Sequence, residues 1–420
     1  MAPLRWLAPR AGLGIALSLL LAGCRGAVAP LENVQITIAP GAGGDRVASA
    51  SLRQLAGQMV QDFMRVNPGV NLHFRYVPEG QLLQNVSERS SLGVGPDLLI
   101  TRVPAAFTLA RRGYTSPVEL GAAQLEPLRL QYLPSFRQGQ GYAALPLLVQ
   151  PSLACYDRRR LARPPASLEQ LVALAGAGQR MGLSLEMHEL LWTATGFGAQ
   201  PPLLHLFDPK TVGGTAPRLD PAARGRVLAW LRWLYRSNVI PTLHYVEDGD
   251  QLVRRLEQGQ LDWISCNATA IGRLRKVLGP HLAVSVLPRG VDGRASRPLA
   301  NLLVLSFGRD STPSQRRVAE RFALFALNDF SQNNLMARAE GNMPVNQNVV
   351  VPVKDAPELA AMEASLRDSL VLTFEDGVRM RELANPLSQL LKEAVYGERR
   401  AEQVLAAMEA LAARPAGAGR

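Results

Sequence analysis

Three cysteines and five histidines in 420 residues leave little material for redox or metal chemistry. No two histidines stand at a metal-ligand spacing. His188-Glu-Leu-Leu-Trp192 opens like a zinc-protease helix but carries Trp192 where the second histidine would be. Gly41-Ala-Gly-Gly-Asp-Arg46 begins like a dinucleotide-binding loop and ends on Arg46 instead of glycine. A Gly-x-Ser-x-Gly elbow and an adjacent pair of tyrosines are both missing. With no nucleophile beside a base, the expectation is a protein that is not an enzyme and needs no cofactor and no metal. Aromatic residues make up only 6% of the chain, and none interleave with a basic stripe. The formal net charge of +11 is scattered over short clusters such as Arg158-Arg159-Arg160 and Arg316-Arg317, so nucleic acid is not an expected partner.

Long apolar runs are also scarce. Past residue 30 nothing approaches the roughly 20 apolar residues of a membrane-spanning helix. The start of the chain differs. Arg5 and Arg10 precede an apolar run from Ala11 to Leu20, interrupted only by Gly12, Gly14 and Ser18. That run is short for a permanent span and fits the core of an export signal. It leads into Leu21-Ala22-Gly23-Cys24, which resembles the bacterial lipobox. The expectation is that residues 1–23 are removed, that Cys24 is lipidated, and that 24–30 link it to the body. The mature protein would then be held at a membrane, periplasmic or otherwise extracytoplasmic. Losing Arg5 and Arg10 lowers the charge to +9. Cys155 and Cys266 sit in the apolar strings LACYD and WISCNA. They can pair in an oxidising compartment or act as small buried hydrophobes; the second is the preferred reading.

What the chain has in quantity is apolar residues, 47% of the total, in alternating periods. Val34 to Ile38 reads as a strand; Leu52, Leu55, Met59, Phe63 and Val66 fall at helical spacing; Leu72, Phe74 and Tyr76 alternate as a second strand; Asp97 to Ile100 is a third. Ser167 caps a helix, Thr312-Pro313 starts another running through Val318, Phe322, Phe325 and Phe330, and HLAVSVL and NLLVLSFG are further strands. This alternation predicts an α/β class with parallel βαβ units, and the length suffices for two domains. Residues 416–420 are expected to be a disordered tail.

The order of motifs carries more information. After the lipobox come Asn67-Pro-Gly-Val70; GVGPDLLI followed by LARRGY; YAALPLLVQPSLACYDRRRL; PPASLEQL; LEQGQLDWISCNATAI; and finally VSVLPRG and GNMPVNQ. In this order they resemble the extracellular solute-binding proteins of ABC importers, in the family that includes maltose-binding protein. The match spans nearly the whole mature chain. Tyr156-Asp157, Cys266-Asn267 and Ser167-Leu168 depart from the family pattern. The resemblance implies a periplasmic-binding-protein-like II fold: two α/β lobes joined by a hinge, with a ligand cleft between. Lobe one would take 31–149 and 288–345, lobe two 150–287 and 346–415, with crossings near Gln150, Leu287 and Pro344.

Such a fold explains why GPDLLI stops on Thr101-Arg102 and restarts as a helix at Pro104. Ligands of open α/β sheets lie beyond the carboxyl ends of the strands. Thr101 and Arg102 are expected to emerge there, with Arg102 either on the ligand or a surface charge. The same rule nominates Gly44, Asp45 and Arg46 at a helix start, although a plain tight turn would read alike. The resemblance adds Gln150 on the crossing strand and His188 and Trp192 where lobe two faces the cleft. Trp192 would stack on a sugar ring or fill the core. Asn267 and Thr269 would hold the ligand or cap a helix, and Asn346 is a further candidate. The implied function is capture of a small hydroxylated solute by a monomer that hands it to permease subunits. The solute would be a sugar, a polyol glycoside or a glycerophosphodiester. An exported carbohydrate-active enzyme and a binding protein feeding a membrane sensor are the competing readings.

Overall fold

The expected strands pair into two separate sheets. The computed structural model describes residues 31–39, 46–207, 219–354 and 356–413, and for 46–52 and 374–381 the backbone only. The first sheet is built from β1 (Glu32–Ala39), β2 (Val70–Tyr76), β3 (Leu98–Arg102), β4 (Leu145–Gln150), β10 (Asn301–Gly308) and β11 (Met343–Pro344). The second is built from β5 (Ser152–Asp157), β6 (Met181–Ser184), β7 (Leu243–Val246), β8 (Trp263–Asn267) and β9 (Leu282–Ser285).

The first sheet runs β11-β4-β10-β3-β1-β2, with the short strand Thr115–Ser116 also pairing with β10. Its β1 is parallel to both β2 and β3, whereas β10 returns antiparallel between β3 and β4. The second sheet runs β7-β6-β8-β5-β9. There β6 is parallel to β7 and β8, and β5 is antiparallel to β8 and β9. The chain leaves the first sheet at Gln150, enters the second at Ser152, and comes back between Ser285 and Asn301.

Burial explains these pairings. Leu98, Leu99 and Ile100 are all shielded from solvent, as expected of a strand covered on both faces. Asp97 sits just before them at 3% exposure, and its carboxylate accepts from the Gln35 amide at 2.7 Å. That bond stitches β1 to the entry of β3. Gly308 closes the other side: a Cβ there would press on the Pro96 carbonyl oxygen.

The helices that matter are α1 (Arg46–Val66), α2 (Glu79–Ser91), α3 (Val103–Arg111), α4 (Met187–Gly196), α5 (Pro221–Asn238), α6 (Gly249–Glu257), α7 (Pro313–Leu327) and α8 (Phe374–Tyr396). On α1, Leu55, Met59 and Phe63 are buried while Val66 is exposed at the end. Phe63 meets Phe322 of α7 edge-on at 5.3 Å between centroids. Thr312 caps α7 with Gln315 in a reciprocal box and Pro313 in the first turn. The predicted continuation to Phe330 fails: Asn328 breaks the helix and caps a new one, Asp329–Arg338, and leaves Phe330 63% exposed. Ser167 accepts from the Gln170 amide at 3.2 Å and caps Leu168–Gly176.

One preference from the sequence is overturned. Cys155 and Cys266 are not free thiols but a disulfide. Antiparallel pairing sets Cys155 opposite Ile264 and Cys266 opposite Leu153, so the two cysteines are diagonal neighbours on one face of the sheet. Composition around each cysteine could not reveal that adjacency. No helix among the described residues is long and apolar enough to cross a membrane.

Candidate functional site: a crevice between two sheet edges

Loops that follow the carboxyl ends of parallel strands are the ones a sheet can aim at a ligand. In the first sheet β2 ends at Tyr76 and β3 at Arg102; in the second β6 ends at Ser184, β7 at Val246 and β8 at Asn267. Four helices start just beyond. Glu79 is the first residue of α2, and Arg102 immediately precedes α3, whose first turn carries Pro104. Glu186 immediately precedes α4, and Asp248 caps α6 through the amides of Asp250 and Gln251.

Charges on these helix starts act on one another across the two sheets. Burial pulls the Arg102 guanidinium below its ordinary value; Glu79 of its own half, then Glu189 and Glu186 of the other, pull it back. Burial also pushes the Glu186 carboxyl up to about 7. Repulsion from Glu189, Asp248 and Asp250 adds to that rise, and Arg102 opposes it. His188 lies 3.6 Å from Glu186 and keeps 51% of its side-chain surface accessible. It is nevertheless held below the usual imidazole range, first by the protein mass around it; Glu189 and Glu79 work upward and Arg102 downward. The ring thus keeps water contact while nearby protein disfavours its charged form.

Glu186, His188 and Glu189 each bring a ligand atom within 4.8 Å of the others. A divalent cation fits poorly there. The Arg102 cation acts on all three residues and opposes a second positive charge among them. The patch is an ionic cluster.

The candidates from the sequence divide into three groups. Arg102 and His188 come together in the crevice. Gln150, Asn267 and Thr269 gather at the crossing between sheets. Gln150 is 6% exposed and donates to the Asn342 side chain at 2.9 Å. Asn267 accepts from the Thr269 amide at 3.0 Å and hydroxyl at 2.8 Å, and the intervening Ala268 amide donates to the Pro151 carbonyl at 2.9 Å. The third group lies elsewhere. Trp192 is 1% exposed in the core of the second half, so no ring face is open to a sugar. Asn346 is fully buried and donates to the Leu327 carbonyl and the Asp329 carboxylate. It borders an open groove of about 550 Å³ that also involves Leu128, Leu327 and Phe330. Thr101, expected to emerge beside Arg102, is likewise fully buried. Gly44 and Asp45 lie outside the described residues, as does the Arg46 side chain.

Glu79, Glu186, Glu189, Asp248 and Asp250 were missed. Each follows a strand, so the rule that selected Arg102 would have selected them too. In the string LSLEMHEL only His188 is nominated, and the two glutamates flanking it are passed over.

Solved sugar-binding receptors share this architecture, three of which follow. The GacH receptor of Streptomyces glaucescens GLA.O, solved unliganded and with acarbose and an acarbose homolog, superposes with a TM-score of 0.74 over 91% of this chain and 97% of its own. The fold is that of these receptors. Sequence identity to GacH is 16%. A cyclo/maltodextrin-binding protein complexed with maltotetraose gives a TM-score of 0.73 at 13% identity, covering 92% of this chain and 98% of its own. The maltodextrin-binding protein MalE1 from L. casei BL23, without ligand, gives 0.71 at 15%, covering 91% and 99%. No protein-family model and no curated protein sequence matches the chain. At these identities the likeness shows the fold alone.

Proposed function

We propose that this chain is the solute-binding receptor of an ATP-driven importer and that its solute is a carbohydrate. The observation that carries the reading is the coupling between two sheet edges: the charge of Arg102 at the carboxyl end of β3 acts on Glu186, His188 and Glu189 just beyond β6. Likeness over more than nine-tenths of the chain to receptors solved with acarbose or maltotetraose supports it. Residues 31–149 with 288–345 form one lobe, and 150–287 with 346–415 the other. A solute entering the open crevice bridges both lobes and shifts the population toward the closed form. That form docks on the permease subunits and releases the solute unchanged. Cys24, lipidated after removal of 1–23, keeps the receptor at the outer face of the membrane.

Within the crevice the solute's hydroxyls are assigned to Arg102, Glu186, His188 and Glu189, with Asn267 and Thr269 toward the crossing. Gly44, Asp45 and Arg46 stay assigned by their place after β1. The carboxylates around Arg102 decide against a glycerophosphodiester, because an anion entering there meets net repulsion. They suit hydroxyl donors, which need acceptors.

Paired carboxylates and a Glu186 that titrates near 7 would also serve a glycoside hydrolase. Glu79 adds a carboxylate from the other half, so recovery of the bound sugar unchanged is what separates binding from hydrolysis.

The test is a thermal-shift and calorimetric screen of the mature chain with maltose, maltotetraose, acarbose, polyols and glycerophosphodiesters. A bound sugar at 100 times its Kd should stabilise the fold by about 2.7 kcal/mol. Chromatography of the recovered sugar should show it intact. Hydrolysed sugar, or a shift given by the phosphodiesters alone, would overturn the reading.

A further inference from the structure

The end of the second sheet away from the carboxyl ends of β6 and β8 carries a compact group of arginines. There β5 ends and β8 and β9 begin, because β5 is antiparallel to both. The Asp157 amide donates to the Asp262 carbonyl at 3.1 Å, and the Arg158 amide to the His281 carbonyl at 2.9 Å. The Asp262 amide donates in turn to the carbonyl of Arg180, the residue before β6, at 2.8 Å. These bonds draw four chain segments together. Through 157–163, 177–181, 258–262 and 278–282 the sequence holds Arg158, Arg159, Arg160, Arg163 and Arg180 against only Asp157 and Asp262.

Both acids lie beneath the arginines. The Asp157 carboxylate is buried and receives Arg159 through two nitrogens, at 2.9 and 2.6 Å. The Asp262 carboxylate, also buried, holds Arg180 at 2.6 Å with Arg160 at 3.6 Å. Buried carboxylates thus fix guanidiniums at the surface, and the side chains of Arg159 and Arg160 keep 53% and 46% of their area open to solvent. Arg158 and Arg163 are exposed too. The next acid along the chain, Glu257, is taken by Arg273 at 2.5 Å. The cluster therefore keeps an excess of positive charge on forks held in place, and a guanidinium fork matches the oxygens of a phosphate. It stands on an open turn and not inside a cavity, which suits a sheet of headgroups better than one enclosed anion.

We propose that this arginine turn docks on the phosphate headgroups of an anionic membrane surface and holds the second half of the receptor against it. The inference rests on the membrane location read above, but neither on the crevice nor on the solute. The Cys24 tether leads into β1 and restrains the first half; the arginine turn does the same for the second.

Co-sedimentation of the unlipidated mature chain, residues 24–420, with vesicles tests the contact. At low salt the chain should partition onto phosphatidylcholine vesicles containing phosphatidylglycerol and not onto phosphatidylcholine alone. Each arginine at an anionic surface is worth about fivefold in partitioning, so Arg158→Gln with Arg160→Gln should lower it about 25-fold. This pair leaves Asp157 with Arg159 and Asp262 with Arg180, so no buried carboxylate loses its cation. Arg317→Gln with Arg321→Gln, an equal loss of charge from exposed positions on α7, should leave partitioning within about twofold of wild type. Equal losses in the two variants would overturn the proposal, because net charge alone would then explain binding. So would wild type that does not prefer the anionic vesicles. Two arms need no variant. Release of wild type from the vesicles by millimolar inorganic phosphate would make this a free-anion site, and equal binding to soluble polyglutamate would make it a contact for an acidic polypeptide; either result overturns the membrane assignment. No sugar is present in any arm, so a failed sugar screen and a failed membrane contact are separate results.

Discussion

Cys155 and Cys266 are bonded diagonally across neighbouring antiparallel strands, their Cα atoms 5.9 Å apart and 111 residues apart in sequence. The bond encloses the whole of β6, β7 and the helices between them. Cross-linking so long a loop removes much of the freedom of the unfolded chain. Reduction, or Cys155→Ser with Cys266→Ser, should lower stability by about 2–4 kcal/mol. Urea denaturation would read this as a lower midpoint. An unchanged midpoint would mean that the surrounding strands alone fix this sheet.

Glu186 makes stability depend on pH. Its carboxyl is raised to about 7 from the usual carboxylate value of 4.5. The folded state therefore holds this proton more tightly than the unfolded chain does. The associated stability is complete below pH 4.5 and is lost as pH rises through 7. Glu186→Gln should flatten the stability profile between those limits and raise the melting temperature at pH 8. The effect should stay under about 1 kcal/mol, since the side chain is partly exposed and its charge partly screened. His188, lowered in the folded state, acts in the opposite sense below pH 6.5, so the comparison should be made against wild type at each pH.

Trp192 separates packing from binding. The ring is buried in the same core as Trp230, whose indole N–H donates to the neighbouring Thr193 hydroxyl at 2.9 Å. Trp192→Ala should cost about 3–5 kcal/mol through the cavity it leaves. Trp192→Phe should cost less and leave the affinity for any sugar found in the screen unchanged. A selective loss of affinity with full stability would return this ring to the ligand.

Gly308→Ala should destabilise by about 1–3 kcal/mol. The new methyl would collide with the Pro96 carbonyl, which is backbone and has no rotamer to change. Chemical denaturation measures it, and a neutral result would show that β10 can slide relative to the entry of β3.

How much could be read from the chain follows the range of the forces involved. Ser167 before Leu168 and Thr312 before Pro313 are local signals, and both cap helices where expected. Leu98 to Ile100 announce a strand covered on both faces because all three are apolar. Trp192 and Asn346 could be placed in sequence but not given a neighbour, since periodicity says which face is buried and not what lies outside it. Arg102 shares a crevice with Glu186 and Glu189, more than 80 positions away. No window of sequence holds both, so the meeting of two sheet edges is a tertiary fact.

The place of β10 has a consequence for synthesis and transport. This strand lies between β3 and β4, with residues 152–285 inserted ahead of it in the chain. The second sheet has all its strands once residue 285 has emerged, whereas the first lacks an interior member until 308. An emerging polypeptide thus carries the unfinished edges of β3 and β4 for about 150 residues of elongation, and such non-local pairing is slow to form. In the exported receptor proposed above, that delay would keep the leading half pliable until passage through the export channel is under way.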